Sequence, residues 1–210
     1  FCPSRFCSMT NSYNGSLTRE QFLFYETKVA AKLHVQGMDD DAVIAEIVAD
    51  NLFQFPTERS IVSIARTCLW RLDNLSPSLV ALLADSSVDV AKQVNLYAMM
   101  RCYRLVREFM QTVIGEKYRT ADFDFGKKDL NVFFVTLQEQ SEQVASWSDA
   151  TVAKIKQVLT KSLVECGYLD STRATKLNYV AIAPELETEI CAVGDIAALP
   201  AFNCFDGGVL

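Results

Sequence analysis

The sequence contains a single histidine and no Cys-x-x-Cys pair, so the spacings typical of zinc sites are absent. It also lacks the motifs G-x-x-x-x-G-K-S/T, G-x-G-x-x-G and G-x-S-x-G, which excludes the usual phosphate-binding loops and the nucleophile elbow. His34 lies between Leu33 and Val35 in a helical pattern, where a structural histidine is commoner than a general base. We therefore expect a protein that is not an enzyme and that uses no metal, cofactor or small-molecule substrate.

Long apolar runs are also missing. No segment reaches the roughly 18 apolar residues that a membrane-spanning helix needs. Residues 190–205 come closest, but Asp195 and Pro200 interrupt them. No segment combines the basic and the long apolar part of a signal peptide. The sequence therefore predicts a cytoplasmic protein that does not contact a membrane.

The seven cysteines are an odd number and are scattered along the chain. Cys2 and Cys7 lie within residues 1–15, which we expect to be disordered or an extension. The cysteines in apolar segments are predicted to be small buried side chains in a reducing compartment; they are Cys68, Cys102, Cys166 and Cys191.

Charge is unevenly distributed around a net value of −6, which on its own argues against nucleic-acid binding. Residues 20–52 contain seven acids and two lysines, whereas residues 150–180 contain five bases and two acids. Residues 101–128 contain seven bases and four acids. This distribution permits a local basic patch on an acidic protein.

Helical spacing of apolar residues dominates the chain, and half of all residues are hydrophobic. The pattern predicts an all-α fold, a multi-helix bundle with a C-terminal winged-helix-like segment that includes a short β-hairpin. Thr18 and Gln21 have the spacing of a capping box for a helix that ends at Gly37. The polar residues 138–143 are the best linker. The expected units are a helical domain at 16–137, a winged-helix-like subdomain at 148–193 and a tail at 194–210.

A helix predicted to begin after Pro56 has two arginines on one face. At 100° per residue, Arg59 and Arg66 align with each other and with Trp70. Such a face suits a phosphate backbone, and it equally suits an ordinary solvated surface. An exposed Trp70 would instead favour a protein partner.

Three arginines cluster at the start of the helix predicted at residues 103–118. Arg101, Arg104 and Arg107 oppose the helix dipole there, a cost that another interaction should offset. Pairing with Glu108 or with another acidic neighbour is the simplest such interaction.

Ser148 is predicted to cap a helix that ends at Gly167 and that is followed by a basic turn and an extended segment at 177–182. This order resembles a winged helix, with Lys154 and Lys161 on the helix and two further bases, Arg173 and Lys176, in the wing. The alternatives are a helical domain that ends in a hairpin, and four solubilising surface charges.

Two carboxylates, Asp122 and Asp124, are followed closely by Lys127 and Lys128. Clustered acids with a lysine are typical of nuclease centres. The aspartates flank Phe123 and would point to different sides of an extended segment, so a polar loop is the better interpretation.

Several segments together resemble the BrxA family of bacteriophage-exclusion (BREX) defence systems, from about Ser16 to Ile190. No segment alone is diagnostic, but their order and spacing resemble the family, and their co-occurrence is fairly specific. The segments are Asp50-Asn51-Leu52-Phe53-Gln54, Thr57-Glu58-Arg59-Ser60, Val106-Arg107-Glu108-Phe109, Glu116-Lys117-Tyr118, Phe133-Phe134, Trp147-Ser148-Asp149-Ala150-Thr151, Lys154–Leu159 and Cys166-Gly167-Tyr168-Leu169.

The resemblance implies an all-helical, non-enzymatic protein that binds double-stranded DNA, weakly and without sequence preference, and that acts with a methyltransferase and other BREX proteins. The alternative is a scaffold of the defence complex that does not touch DNA. In the family pattern the helix after Thr57 is more basic, whereas here it carries Ile61, Val62 and Ser63. The expected phosphate contacts are Arg59, Arg66, Lys154, Lys161, Arg173 and Lys176.

Overall fold

The protein is described by a computed structural model that covers residues 12–205. These residues form eleven α-helices, one π-helix and two 3₁₀ helices, so the predicted all-α class is confirmed. The α-helices are α1 (Phe24–Val35), α2 (Asp40–Ala49), α3 (Glu58–Asp73), α4 (Pro77–Asp85), α5 (Val88–Cys102), α6 (Arg104–Phe109), α7 (Glu116–Arg119), α8 (Lys127–Gln140), α9 (Glu142–Ala145), α10 (Asp149–Glu165) and α11 (Pro184–Ala192).

Short polar side chains begin several of these helices. Thr57 accepts the backbone N–H of Ser60 at the start of α3, and Ser148 accepts that of Thr151 at the start of α10. Each cap satisfies a donor that the first turn leaves unpaired. The chain therefore starts these two helices at the predicted residues.

The predicted capping box at Thr18 is wrong. The Thr18 hydroxyl donates to the carbonyl of Gly15 within a 3₁₀ helix, Gly15–Thr18, and α1 begins only at Phe24. The residue before α1, Leu23, has a left-handed backbone with φ of 48°. Residues 19–23 therefore form a loop.

A buried arginine explains this loop. Arg71 is fully buried on α3, and its guanidinium donates to the carbonyls of Glu20, Gln21 and Phe22 at 2.8, 2.6 and 2.8 Å. Three hydrogen bonds from one buried guanidinium fix the orientation of three consecutive carbonyls. Arg71 thus holds residues 20–22 in place before α1 begins.

One long helical run passes through the middle of the protein, from α6 through the π-helix Met110–Gly115 to α7. The π-helix packs against a 3₁₀ helix, Ile196–Phe202, whose Leu199 and Phe202 are buried. A Cβ atom on Gly115 would lie 3.2 Å from the Cβ of Pro200, so any larger residue would force the two segments slightly apart.

Buried side chains from residues 16–137, from 148–193 and from the segment predicted as a tail belong to one hydrophobic cluster. The polar residues 138–143, predicted as a linker, are mostly helical. Residues 1–11 and 206–210 lie outside the described residues. The division of the chain into units stays a prediction.

The predicted β-hairpin after α10 is not confirmed. The β-bridge found within residues 12–205 joins Lys176 to Asp124, which lies in the loop before α8. Phe125 N–H donates to the carbonyl of Thr175 at 2.9 Å, and Leu177 N–H donates to that of Phe123 at 2.7 Å. The extended segment therefore pairs with residues 123–125 instead of with a neighbouring strand.

Candidate nucleic-acid interface

The two arginines predicted on α3 are both exposed. Arg59 and Arg66 lie about 20° apart around the helix, on the side opposite the buried Ile61 and Cys68. Trp70 shares their side in angle, but it is half-buried and meets the ring of Tyr103 edge-on at 5.3 Å. The expected exposed tryptophan is therefore wrong, and the face carries two arginines alone.

Lys154 and Lys161 lie on one flank of α10, beside the buried stripe of that helix. Lys154 is half-buried, and its ammonium donates to Oε1 of Gln157 at 3.2 Å. Lys161 is exposed and lines a cleft of about 540 Å³ together with Ile64 of α3. Ile64 lies about 150° around α3 from Arg59 and Arg66, so the α3 and α10 bases face different directions.

The charges in this cleft are balanced. Arg19 and Lys161 line it together with Glu26 and Glu165. Glu165 also pairs with Lys92 of α5 at 3.0 Å. Two bases beside two acids give little net attraction for a polyanion, so Lys161 is a weaker candidate for a phosphate contact than its exposure alone suggests.

The loop that carries Arg173 and Lys176 does not extend from α10 as a free wing. Its backbone pairs with residues 123–125, and Thr175 lines a pocket of about 600 Å³ with Lys127 and Lys128. Both of these lysines are exposed and occupy the first turn of α8. We call the four exposed bases Lys127, Lys128, Arg173 and Lys176 the α8 basic cluster.

This cluster has a modest surplus of positive charge. Asp122, Asp124 and Asp129 lie in or beside the same pocket, and Asp129 accepts the N–H of Gly126 at the start of the helix, so with Lys117 five bases stand against three acids. Sequence reasoning considered Lys127 and Lys128 only as part of a nuclease-like set. The signal that could have found them was the surplus of bases in residues 101–128.

The nearby carboxylates are held by a different lysine. The ammonium of Lys117 lies 2.9 Å from a carboxylate oxygen of Asp122 and 3.0 Å from one of Asp129, and it also donates to the carbonyl of Asp124. The hydrogen bond from Lys117 lowers the pKa of Asp122. Within residues 12–205, no three His, Cys, Asp or Glu side chains are placed to hold a metal ion. The arrangement is that of a polar loop organised around one lysine.

The three arginines near the start of α6 are engaged in ion pairs, as predicted. Arg104 donates to Glu108 at 2.7 Å, and Arg107 donates to both carboxylate oxygens of Asp195. Arg101 lies 3.9 Å from the same aspartate. These pairs offset the unfavourable helix dipole and leave the arginines as structural residues.

Comparison with known proteins identifies the family. The sequence model of BrxA matches residues 11–192, which is most of the chain. The chain belongs to the BrxA family. The family resemblance seen in the sequence is therefore confirmed.

Curated BrxA relatives carry the name BREX protein BrxA. The protein from Bacillus cereus (strain H3081.97) is 34% identical over 164 residues, which cover 78% of this chain and 82% of the relative. The protein from Escherichia coli O9:H4 (strain HS) is 27% identical over 180 residues, covering 86% and 84%. As a BrxA-family member, the chain is a protein of BREX antiviral defence.

A solved structure shares the fold of this BrxA-family chain. The crystal structure of an uncharacterized protein from Magnetospirillum magneticum superposes with a TM-score of 0.77 at 20% identity, covering 90% of this chain and 97% of the other. Residues 12–205 contain no helix with the length and apolar character needed to cross a bilayer.

Proposed function

We propose that this BrxA-family protein is a non-enzymatic, cytoplasmic accessory protein of BREX defence that binds double-stranded DNA weakly and without sequence preference. The observation that carries the proposal is the α8 basic cluster: the loop that carries Arg173 and Lys176 pairs through its backbone with residues 123–125, and its Thr175 lines one pocket with Lys127 and Lys128. The cluster joins positions about 50 residues apart, and ammonium and guanidinium groups beside a helix N-terminus suit phosphate oxygens.

All the contacts in this proposal are made to the phosphate backbone. Lys127, Lys128, Arg173 and Lys176 approach the phosphate backbone. Arg59 and Arg66 form a second exposed pair that could extend the footprint, and Lys154 with Lys161 forms a third. None of these side chains is assigned to a base edge, which is why no sequence preference is expected.

The test is the affinity for a random duplex between 50 and 200 mM salt. With four phosphate contacts, log K should fall against log salt with a slope of about −3.6. Lys127→Glu/Lys128→Glu and Arg173→Glu/Lys176→Glu should each weaken binding strongly and reduce the slope by about 2, because each removes two contacts. Lys32→Glu, at an exposed lysine on α1, is the matched control and should bind like wild type.

The same titration ranks the three sites. Two further double variants test the other sites: Arg59→Glu/Arg66→Glu and Lys154→Glu/Lys161→Glu. Their helices should remain folded, because none of the four side chains is fully buried. If only one of these pairs weakens binding, the footprint lies on α3 or α10 and the α8 basic cluster is wrong. Absence of binding at 50 mM salt would reject DNA binding altogether.

A second candidate function is a protein scaffold of the defence complex, with the methyltransferase among its partners. It is favoured by the net charge of −6 and by the consecutive acids Asp39, Asp40 and Asp41 at the exposed start of α2. Affinity purification from the native host, with and without nuclease, separates the two functions. Partners that survive nuclease treatment support the scaffold, whereas partners lost on treatment support bridging through DNA.

A further inference from the structure

A groove runs between α4 and α11, two nine-residue helices that both begin with proline. It encloses about 710 Å³. Ala81 and Leu82 line it from α4, and Thr188 lines it from α11. These side chains present mostly methyl groups, so the lining is apolar although the groove is open to solvent.

Acidic side chains border the apolar lining. The hydroxyl of Ser76 donates to Glu189 at 3.0 Å, which places the start of α4 beside the later part of α11. Asp85, the last residue of α4, and Glu185, in the first turn of α11, line the groove as well, and both are exposed. The groove therefore has carboxylates along its length.

The two helices carry four carboxylates, Asp85, Glu185, Glu187 and Glu189, and no lysine or arginine. The base at the edge is Lys28 of α1, whose ammonium donates to the carbonyl of Ser86 at 3.0 Å. Glu187 lies on the other side of α11 and accepts a hydrogen bond from Cys204, so one lysine stands against three acids at the groove, which leaves a negative rim. Such a rim repels nucleic acid and attracts a cationic protein segment.

We propose that the groove between α4 and α11 binds an amphipathic helix of a partner protein, with an apolar stripe toward Ala81 and Leu82 and lysine or arginine on its flanks. Each groove helix is about 13.5 Å long, and an i, i+4, i+7 stripe spans about 10.5 Å. Two turns of a partner helix therefore match the groove. The proposal goes beyond DNA binding, since the groove shares no residue with the α8 basic cluster.

The probe is a labelled helical peptide of about 18 residues with leucines at i, i+4 and i+7 and lysines on both flanks. Fluorescence anisotropy with the full chain should show saturable binding that weakens with salt. Two comparison peptides test the leucine stripe and the flanking lysines separately. One has the same composition with the leucines scattered, and the other has glutamates for the lysines; both should bind at least about tenfold more weakly.

Groove variants locate the binding. Ala81→Trp fills the groove and should reduce peptide affinity at least about tenfold. Thr188→Arg introduces a positive charge at an exposed position and should do the same, which covers the case in which Ala81→Trp does not fold. Ala45→Trp, at an exposed alanine on α2, is the matched control and should leave affinity unchanged.

Equal binding of the striped and scattered peptides, or equal affinity of Ala81→Trp, Thr188→Arg and wild type, would overturn the proposal. If the wild-type protein self-associates and Ala81→Trp is a monomer, the groove binds a second copy of this chain instead of a partner protein. Both groove variants should keep their affinity for DNA. Loss of peptide binding alone can then be distinguished from loss of DNA binding.

Discussion

Arg107 donates through both terminal nitrogens to the two carboxylate oxygens of Asp195, joining α6 to the segment that follows α11. Their side chains are 11% and 13% exposed, so the pair is largely removed from water. Tyr97 adds a hydrogen bond to the same carboxylate at 2.9 Å. One aspartate therefore fastens the C-terminal segment to the two central helices.

Asp195→Asn should destabilise the protein by about 3 kcal/mol, because it leaves the buried charge of Arg107 without its counter-ion. Urea unfolding of the variant and wild type measures the difference. Glu139→Gln, at an exposed position on α8, is the control and should change stability by less than about 0.5 kcal/mol. Equal losses in the two variants would contradict a structural role for the ion pair.

Arg71→Lys should lose most of the stabilisation that Arg71 provides, about 3 kcal/mol, because two nitrogens of the planar guanidinium reach the three carbonyls and the single nitrogen of a shorter side chain cannot reproduce that geometry. Hydrogen exchange should accelerate in the first turn of α1, where Thr27 N–H donates to Leu23. Amides in α10 serve as the internal reference. Unchanged protection in α1 would show that the loop at 19–23 holds its conformation without the guanidinium.

Gly115→Ala should cost about 1–3 kcal/mol, because the added methyl group would lie 3.2 Å from the Cβ of Pro200 and 3.3 Å from its carbonyl carbon. Gly15→Ala is the control: its Cβ would lie 3.7 Å from Cγ2 of Thr151, an ordinary van der Waals distance. Thermal melting of both variants checks the difference. A similar melting temperature for the two would contradict tight packing between the π-helix and the C-terminal 3₁₀ helix.

Lys127→Glu/Lys128→Glu should change stability by less than about 1 kcal/mol while weakening DNA binding, because the favourable helix dipole is opposed by repulsion from Asp122, Asp124 and Asp129. The folded signal in circular dichroism and the urea midpoint measure this directly. A larger drop in stability would mean that the lysines support the fold. DNA binding by the cluster would then be judged from Arg173→Glu/Lys176→Glu instead.

Thiol labelling should separate the described cysteines. Burial raises the pKa of Cys68 and of Cys102 to about 12, so at pH 8 both remain unreactive thiols in the folded protein. Cys191 is exposed, contrary to its predicted burial, and should react. Peptide mapping after labelling with and without urea locates the modified positions. Labelling of Cys68 before Cys191 in native protein would contradict this assignment.

The elements that the sequence predicted correctly are those specified by neighbouring residues. Thr57 and Ser148 cap helices with donors three residues away, and the arginine face of α3 follows from helix periodicity alone. Cys191 shows the limit: it lies in an apolar segment but on the outer side of a short helix. An apolar neighbourhood in sequence does not determine which side of a helix is buried.

Contacts between distant residues account for what the sequence could not predict. The loop at 19–23 depends on Arg71, about 50 positions later, and the β-bridge joins residues 124 and 176. The same pairing brings the loop at 170–176 to Lys127 and Lys128, so the α8 basic cluster could not be read from either segment alone. Pairing over such separations depends on the packed fold, which carries no periodic signal in sequence.

The close packing of the C-terminal 3₁₀ helix has a consequence for synthesis of the chain. Translation proceeds from the N-terminus, so α5 and the π-helix leave the ribosome well before residues 195–202. Until those residues emerge, Arg107 lacks Asp195, and Gly115 faces an unfilled space where Pro200 will pack. The nascent protein therefore exposes the middle of its core until residues 195–202 have been made and can pack against it.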